Sequence, residues 1–501
     1  MDMKKYREIW MLLFALLLSG CDNWLDVKPE TEVNEDDMFT NEQGFMDALY
    51  GVYVNMGKTD LYGGTWQTAL DMTAQFYNYY DIAECPYGRY QTFEYEHPQC
   101  TAVTDPLWMR LYYCIGLTNN LLKFLDKPEA REICFNYDYL RGEALALRAY
   151  MHFDLVRIFA PDVKKNPDYL SIPYRKIFSP EIDSQLTVAE VYRQILQDLT
   201  EAKQLLANDV IRTNAPEWLG KGEKTDESDN VTDKNDSYYV TGFLKDRKYR
   251  MNYYAVLGTL ARVHLTLGTA DDLEKAYGYA MEVIRSGKFR PIQEEHLQVS
   301  GDQTKYRDIL FTDEFIFGLY SAQVDAFYKS NFDESYGPKK MLVKKLSSIY
   351  GQATKDVRQT FWFKTSWGSA YLIKHNADLE YAKEKVRMIT LPEMYYIAAE
   401  AHPAEAYELL EEILPSRDIH SGLSASPGRE EVLKEVLGEY RKEYLGDGQF
   451  FFAYKRLIGE TSVIASLGIG IPDEDKVLVW PLPMDEIKYG DRTSEIWKND
   501  K

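Results

Sequence analysis

The stretch RGEALALRAYMHFDLVRIFAP, residues 141–161, gathers Arg148, His152, Asp154 and Arg157, side chains of the kind that move protons or hold anions. On a helix, residues two apart point about 200° from one another, so His152 and Asp154 cannot form a dyad from this element alone. Arg148 shares a face with His152, and Asp154 shares one with Arg157, which suits local ion pairing. Ala144, Leu147, Met151, Leu155 and Ile158 make one apolar stripe, and Leu145, Ala149, Phe153 and Val156 make a second. A helix with two such stripes is packed on two sides, and its charges are read as structural.

Other arrangements that do chemistry are missing from the sequence. It has no G-x-S-x-G, no H-E-x-x-H and no phosphate-cradling glycine loop, and its seven histidines lack ligand spacing. Among 79 acidic residues nothing marks two as a glycosidase pair. The acidic tract from Asp226 to Asp236 offers oxygen ligands but lacks the spacing and turn glycine of an EF-hand, leaving calcium there a weak candidate. The expectation is no catalytic residue, no metal and no cofactor.

Aromatic residues carry more information. The chain has 39 tyrosines, and TWQTALDMTAQFYNYYDIAECPYGRYQTFEYEH concentrates aromatics in what reads as a non-helical, polar context. Aromatic faces beside amides, carboxylates and a guanidinium suit a ligand with apolar C–H faces and hydroxyl rims, as in a sugar. The candidates are Trp66, Tyr77, Tyr79, Tyr80, Tyr87, Arg89 and Tyr90, with Trp362 and Trp367 of TFWFKTSWGSAYL as a second group.

Where such residues would work is set by the N-terminus. Lys4, Lys5 and Arg7 precede an unbroken apolar run from Ile9 to Leu18, too short for the roughly 20 residues of a membrane span. Leu18-Ser19-Gly20-Cys21 looks like a bacterial lipobox, so residues 1–20 are expected to be a removed signal peptide and Cys21 a lipidated, palmitate-bearing N-terminus. Residues 21–40 then form a lipid-anchored tether, and 41–501 a single domain. Removing the signal moves the net charge from −21 to −22, a surface that repels nucleic-acid phosphate. Of the other cysteines, Cys85 and Cys100 bracket a polar loop and could pair, whereas Cys114 and Cys134 read as buried free thiols.

Helices must position these residues. LTVAEVYRQILQDLTEAKQLL aligns Val188, Val191, Ile195, Leu199, Ala202 and Leu206, with Thr187 and Glu190 as a capping box. MNYYAVLGTLARVHLTLG and DDLEKAYGYAMEVIRSG read as a hairpin, ended at Gly268, capped by Asp271 and ended again at Gly287. Its small residues Ala255, Gly258, Ala261, Ala276 and Ala280 would let the two axes approach. Further helical segments are NEQGFMDALYGVYVNM, DPLWMRLYYCIGLTNNLLKFL, LPEMYYIAAEAHPAEAYELLEEIL and REEVLKEVLGEYRKEYL; DEFIFGLYS and KVLVWPLP are β-like. A polar insertion lies near 208–250. The fold class is mainly α, an α-helical domain with tetratricopeptide-like hairpins, long loop decorations and short β pieces.

Taken in order, these segments resemble the SusD/RagB family of outer-membrane nutrient-binding lipoproteins of Bacteroidota. The lipobox followed by CDNWLDVKPETEV, the RGEALALRAYMHFDLVRIFAP helix, TVAEVYRQILQDLTEA, RMNYYAVLGTLARVHLTLG, EFIFGLYS, Asp356-Val357-Arg358, LPEMYYIAAEA, GEYRKEYLGDGQFFFAYKRL and VLVWPLPMDEI follow that family's order. The chain departs from it at Asp447-Gly448-Gln449-Phe450, where an arginine and an aspartate are usual, and at SEIWKNDK, which lacks the usual ending. The resemblance implies four tetratricopeptide-like units bearing loops that bind a glycan, with no chemistry of its own. It also implies a cell-surface position at the outer membrane over a SusC-like TonB-dependent transporter that receives the oligosaccharide. Peptide ligands occur in the same family, and a lipid-anchored helical glycoside hydrolase is the alternative of another class.

Overall fold

The computed structural model describes residues 35–79, 81–217, 242–333, 340–344, 346–351, 355–366, 368–375 and 378–498. Cys21 and the signal segment, Tyr80, Trp367 and the tract 226–236 lie outside the described residues. Five long helices and a short strand make up the first half: α1 (Glu42–Met56), α2 (Thr65–Thr73), β1 (Tyr77–Asn78), α3 (Pro98–Leu125), α4 (Tyr137–Phe159) and α5 (Val188–Leu205). The hairpin α6 (Tyr253–Leu267) and α7 (Ala270–Arg285) follows. Then come β2 (Phe315–Tyr320), β3 (Leu342–Val343), β4 (Phe363–Ser366), β5 (Ser369–Leu372) and β6 (Lys385–Thr390), and last α8 (Leu391–Ala401), α9 (Ala406–Ile413), α10 (Arg429–Glu443) and α11 (Phe450–Arg456). The fold is mainly α: α1 packs on α3, α3 on α4, α4 on α5, α6 on α7, and α7 and α9 on α8. No helix among the described residues is long and apolar enough to cross a membrane.

Local signals place these helices. Thr187 and Glu190 close both halves of a capping box at the start of α5, and Gly268 ends α6 in the left-handed region at φ 70°. The second helix of the hairpin is capped by Thr269, not Asp271: the Thr269 hydroxyl accepts the Asp272 N–H and donates to its carboxylate at 2.6 Å. Gly258 serves a different neighbour from the one its spacing suggests. A Cβ there would lie 3.0 Å from Ile389 of β6, so the close approach is to the sheet at the foot of α8. Pro403 splits the segment expected as one helix from Leu391 to Leu414, as a missing N–H and ring clash require. KVLVWPLP forms no strand; Asp475–Leu478 is a helical turn and Trp480 N–H donates to Ile158 O.

The folded body begins earlier than residue 41. Phe39 is buried, its ring stacked on Phe124 at 4.0 Å and edge-on to Phe45 at 4.9 Å, so the core already holds the last residues assigned to a tether. All four described cysteines are buried free thiols, which leaves Cys85 and Cys100 unbridged. Burial pushes the Cys85 thiol up to about 11 and that of Cys100 to about 12.

The charged residues of α4 are structural. Asp154 is held by Arg157 and by the Tyr62 hydroxyl at 2.7 Å, and Arg148 forks onto Asp198 at 2.7 and 3.0 Å. His152 is fully buried against Tyr174, its Nδ1 2.8 Å from Arg148 O, while its Nε2 accepts the Arg175 N–H at 3.0 Å. That bonding requires the neutral ring with the proton on Nδ1, and burial lowers its pKa from 6.5 to about 3. The unfolded chain therefore binds a proton below pH 6.5 that the native state refuses, and stability present above that pH is lost as pH falls toward 3. At pH 5 this one site costs about 2 kcal/mol. Urea midpoints at pH 7 and pH 5 are expected to fall further apart in the parent than in His152→Gln; equal spacing would remove His152 from the acid response.

Candidate functional site

Both aromatic segments singled out in the sequence meet in one four-stranded antiparallel sheet with strand order β1-β3-β5-β4. Its register is Tyr77↔Val343, Asn78↔Leu342, Val343↔Ala370 and Lys364↔Tyr371. Because side chains alternate along a strand, Tyr77, Val343 and Ala370 form an inner row and Asn78, Leu342, Tyr371 and Lys364 an outer one. The inner three are buried, whereas Asn78 and Lys364 are exposed and Leu342 and Tyr371 half-buried.

Burial overturns most of the aromatic candidates. Residues 65–73 form helix α2 and not a loop, with every side chain from Trp66 to Thr73 buried. A helix enclosed on all sides has no polar face, so no amphipathic stripe announces it. Trp66 packs against Tyr62 and Phe452. Tyr77 donates to Asp71 at 3.1 Å, Tyr87 lies 3.2 Å from the Thr65 hydroxyl, and Tyr90 bonds Thr104 at 2.6 Å under Trp480. Trp362 donates to Ile309 O at 2.6 Å with the Lys374 ammonium 4.0 Å from its ring centroid. Trp66, Tyr77, Tyr87, Tyr90 and Trp362 are thus core residues that cannot present a face to a ligand.

Two of the described candidates remain at the surface. Tyr79, half-buried, follows β1 directly. Arg89 sits on the turn Gly88–Gln91, bound to Glu94 at 3.0 and 3.2 Å. This turn is tied to the sheet: Gln91 donates to Asn78 at 3.4 Å, Gln75 donates to Gln91 O at 2.8 Å, and Lys344 donates to Gln75 at 2.8 Å. The residue that sequence reasoning missed is Tyr371. Its signal was its parity in SAYL, opposite to that of apolar Ala370 and Leu372.

Beneath the sheet a buried polar frame fixes its position. Asp71 accepts from Tyr77 and from the N–H groups of Gly446 at 2.6 Å and Gly448 at 3.2 Å. Both glycines have positive φ, and a Cβ on Gly448 would stand 3.0 Å from the Gln67 backbone. Asp447 between them takes the Lys374 ammonium at 2.7 Å and lies 3.6 Å from Arg387. Burial raises the Asp71 carboxyl to about 8 and lowers Lys374 to about 8. At this Asp447-Gly448-Gln449 corner the carboxylate is met by a lysine from a neighbouring strand end.

The arrangement offers a tyrosine face with amide, hydroxyl and ammonium groups around it, which can bind a polar ligand having an apolar face. Among the described residues no group of three or more histidine, cysteine, aspartate or glutamate side chains could hold a metal ion.

Residues 23–217 match the SusD-like family model described as "Starch-binding associating with outer membrane". No curated protein matches the chain. Among solved structures it is similar to a SusD superfamily protein from Bacteroides thetaiotaomicron, at 21% identity, a TM-score of 0.64 and coverage of 90% of this chain and 98% of that one. A SusD superfamily protein from Bacteroides fragilis gives 19% identity, 0.63, and 90% and 98%. A SusD-like carbohydrate binding protein from Bacteroides vulgatus gives 18% identity, 0.60, and 83% of each chain. The N-terminal part of the chain thus matches the SusD-like family model, and its fold is shared with SusD superfamily proteins over nearly the whole length.

Proposed function

We propose that this protein is a cell-surface glycan-binding lipoprotein of the outer membrane, held by lipid on Cys21, that captures oligosaccharide and delivers it to a SusC-like TonB-dependent transporter. The observation that carries the reading is the outer row of the sheet, where Tyr371 lies between Leu342 and Lys364 with Asn78 at the far end. A pyranose stacks its C–H face on a tyrosine and turns its hydroxyls to the amide and ammonium around it. Tyr79 and Arg89 extend this surface toward the neighbouring turn. The starch-binding description of the matching family and the carbohydrate-binding relative point to the same ligand class. The reading includes no catalysis.

The test is an affinity-gel and calorimetric screen of the protein against polysaccharides and peptides, with product analysis in parallel. A binding residue at the centre of such a surface contributes about 2 kcal/mol, so Tyr371→Ala is expected to weaken an identified glycan about 30-fold. Tyr489→Ala, an exposed tyrosine on another element, should leave affinity unchanged. Turnover of the glycan would replace the binding-only reading with the hydrolase, and unchanged affinity in Tyr371→Ala would move the site off this sheet.

A further inference from the structure

We infer that the helical body holds a second site, a pocket for a small oxyanion between α4, α5, α6, α8, α10 and α11. A cavity of about 50 Å³ lies there and opens to solvent. No residue of the four-stranded sheet lines it.

Its wall holds hydrogen-bonding groups that the protein leaves unused. The Arg157 guanidinium is clamped between two rings, 4.2 Å from the Phe153 centroid and 3.8 Å from that of Phe452. Asp154 takes one of its nitrogens, while its Nε is buried without a partner. Tyr192, Tyr440 and Gln449 also line the cavity, each at least nine-tenths buried, and among the described residues none of their side-chain polar atoms has a protein partner. Buried polar groups in folded proteins are nearly always bonded, so an unbonded Arg157 Nε beside three further polar side chains that face the cavity calls for an occupant.

The kind of occupant follows from the chemistry of the four. Each can donate, and a ligand that accepts from all of them carries several acceptor oxygens. Charge points the same way. Arg262 is matched by Glu393 at 2.7 Å, and Arg456 by Glu400 at 2.8 Å. The Lys455 ammonium has no carboxylate in contact and donates only to the carbonyls of Arg157 and Ala160, at 2.8 and 2.6 Å. The remaining acid of the lining, Asp162, is half-buried and accepts the Lys164 N–H at 2.7 Å. A rigid guanidinium with open N–H bonds, two hydroxyls, an amide and a nearby ammonium suits a carboxylate or phosphate group. The cavity would hold roughly three to five waters at about 10–15 Å³ each, or one such group with the rest of its molecule at the open mouth.

The test is calorimetric titration of the protein with acetate, with inorganic phosphate, and with acetyl-trialanine as acid and as amide, at constant ionic strength. Saturable binding of at least one oxyanion is expected, and the pattern across the probes separates a free anion from a peptide carboxyl terminus. Tyr440→Phe and Gln449→Leu should each weaken it at least fivefold. Tyr440→Phe removes only an oxygen without a protein partner, so its melting temperature should match the parent and its glycan affinity should not change. Absence of saturable binding for every probe, equal affinity in both variants, or a crystal structure grown with the best probe that holds only water in the cavity would each overturn the site. Because the sheet contributes nothing here, loss of this pocket leaves the glycan reading standing, and the reverse holds too.

Discussion

Replacing Glu443 by alanine is expected to destabilise the protein by about 3–5 kcal/mol, a large part of the stability of an ordinary domain. Glu443 ends α10 with its side chain fully buried and accepts from three guanidinium groups: Arg387 at 2.6 Å, Arg358 at 3.0 Å and Arg417 at 3.1 Å. Arg358 also holds Asp356 at 2.7 Å and Glu439 at 2.8 Å, and Arg417 holds Glu314 at 2.7 Å. Burial by itself would raise the Glu443 pKa. The guanidiniums of Arg417, Arg387 and Arg358 outweigh it and hold the carboxyl well below the usual carboxylate range. Alanine would leave three buried cations each short of an acceptor, which costs far more than the intact cluster contributes. Stability from this group is present above its unfolded pKa of 4.5 and is lost as pH falls through that value and below. Denaturant midpoints at pH 7 measure the effect, with exposed Glu430→Ala as a control that should leave the midpoint in place. A loss under about 1 kcal/mol for Glu443→Ala would mean that the neighbouring acids rearrange to serve all three arginines.

Nothing in the local sequence announces that cluster, and the reason is physical. A helix writes its buried face into the chain every three or four residues, which is why α5 and its Thr187 cap can be read directly. Arg417, in the turn after α9, and Glu314, just before β2, are 103 positions apart, and their pairing exists only in the folded chain. The α2 segment shows the opposite failure. Its Trp66, Gln67, Asp71 and Thr73 are all buried, so polar residues gave it the look of a loop although Asp71, Thr73 and the Gln67 amide N–H are bonded inside. Aromatic count fails in a related way, because a tyrosine can fill a core as readily as it can line a surface. Within a strand, alternation separates the two uses and sets Tyr371 of SAYL outward; the more conspicuous Trp362, at the helical turn before β4, turns inward to Ile309 O. The sequence therefore marked two segments that the structure joins in one sheet, β1 with its following tyrosine and the β4–β5 hairpin, while naming mostly buried residues.

Glu143→Ala is the second substitution expected to cost about 3–5 kcal/mol, and it should act first on the segment that closes the polar insertion. Glu143 is fully buried on α4 and accepts from the Tyr53 hydroxyl at 2.6 Å, Arg247 at 2.5 Å and Arg250 at 3.0 Å. Arg247 also forks onto Asp209 at 3.0 and 2.6 Å, and the Tyr53 hydroxyl accepts the Met251 N–H at 2.8 Å. One carboxylate thus ties residues 247–251 to both α1 and α4, and the Arg247 to Asp209 fork joins the two ends of the insertion. Without Glu143, Arg250 would keep only a backbone acceptor, the Phe243 carbonyl, and Arg247 would lose one of its two acids. Desolvated guanidinium without a counter-charge is the costly state, so opening of 242–251 should relieve it before α4 itself unfolds. Limited proteolysis at native pH is expected to cut Glu143→Ala within 242–251 several times faster than the parent. The double variant Glu143→Leu with Arg250→Met should recover part of the loss, since it removes a cation together with its partner. If Glu143→Ala melted as a single unit with no faster cleavage at 242–251, the anchor would belong to the global core and not to the segment it holds.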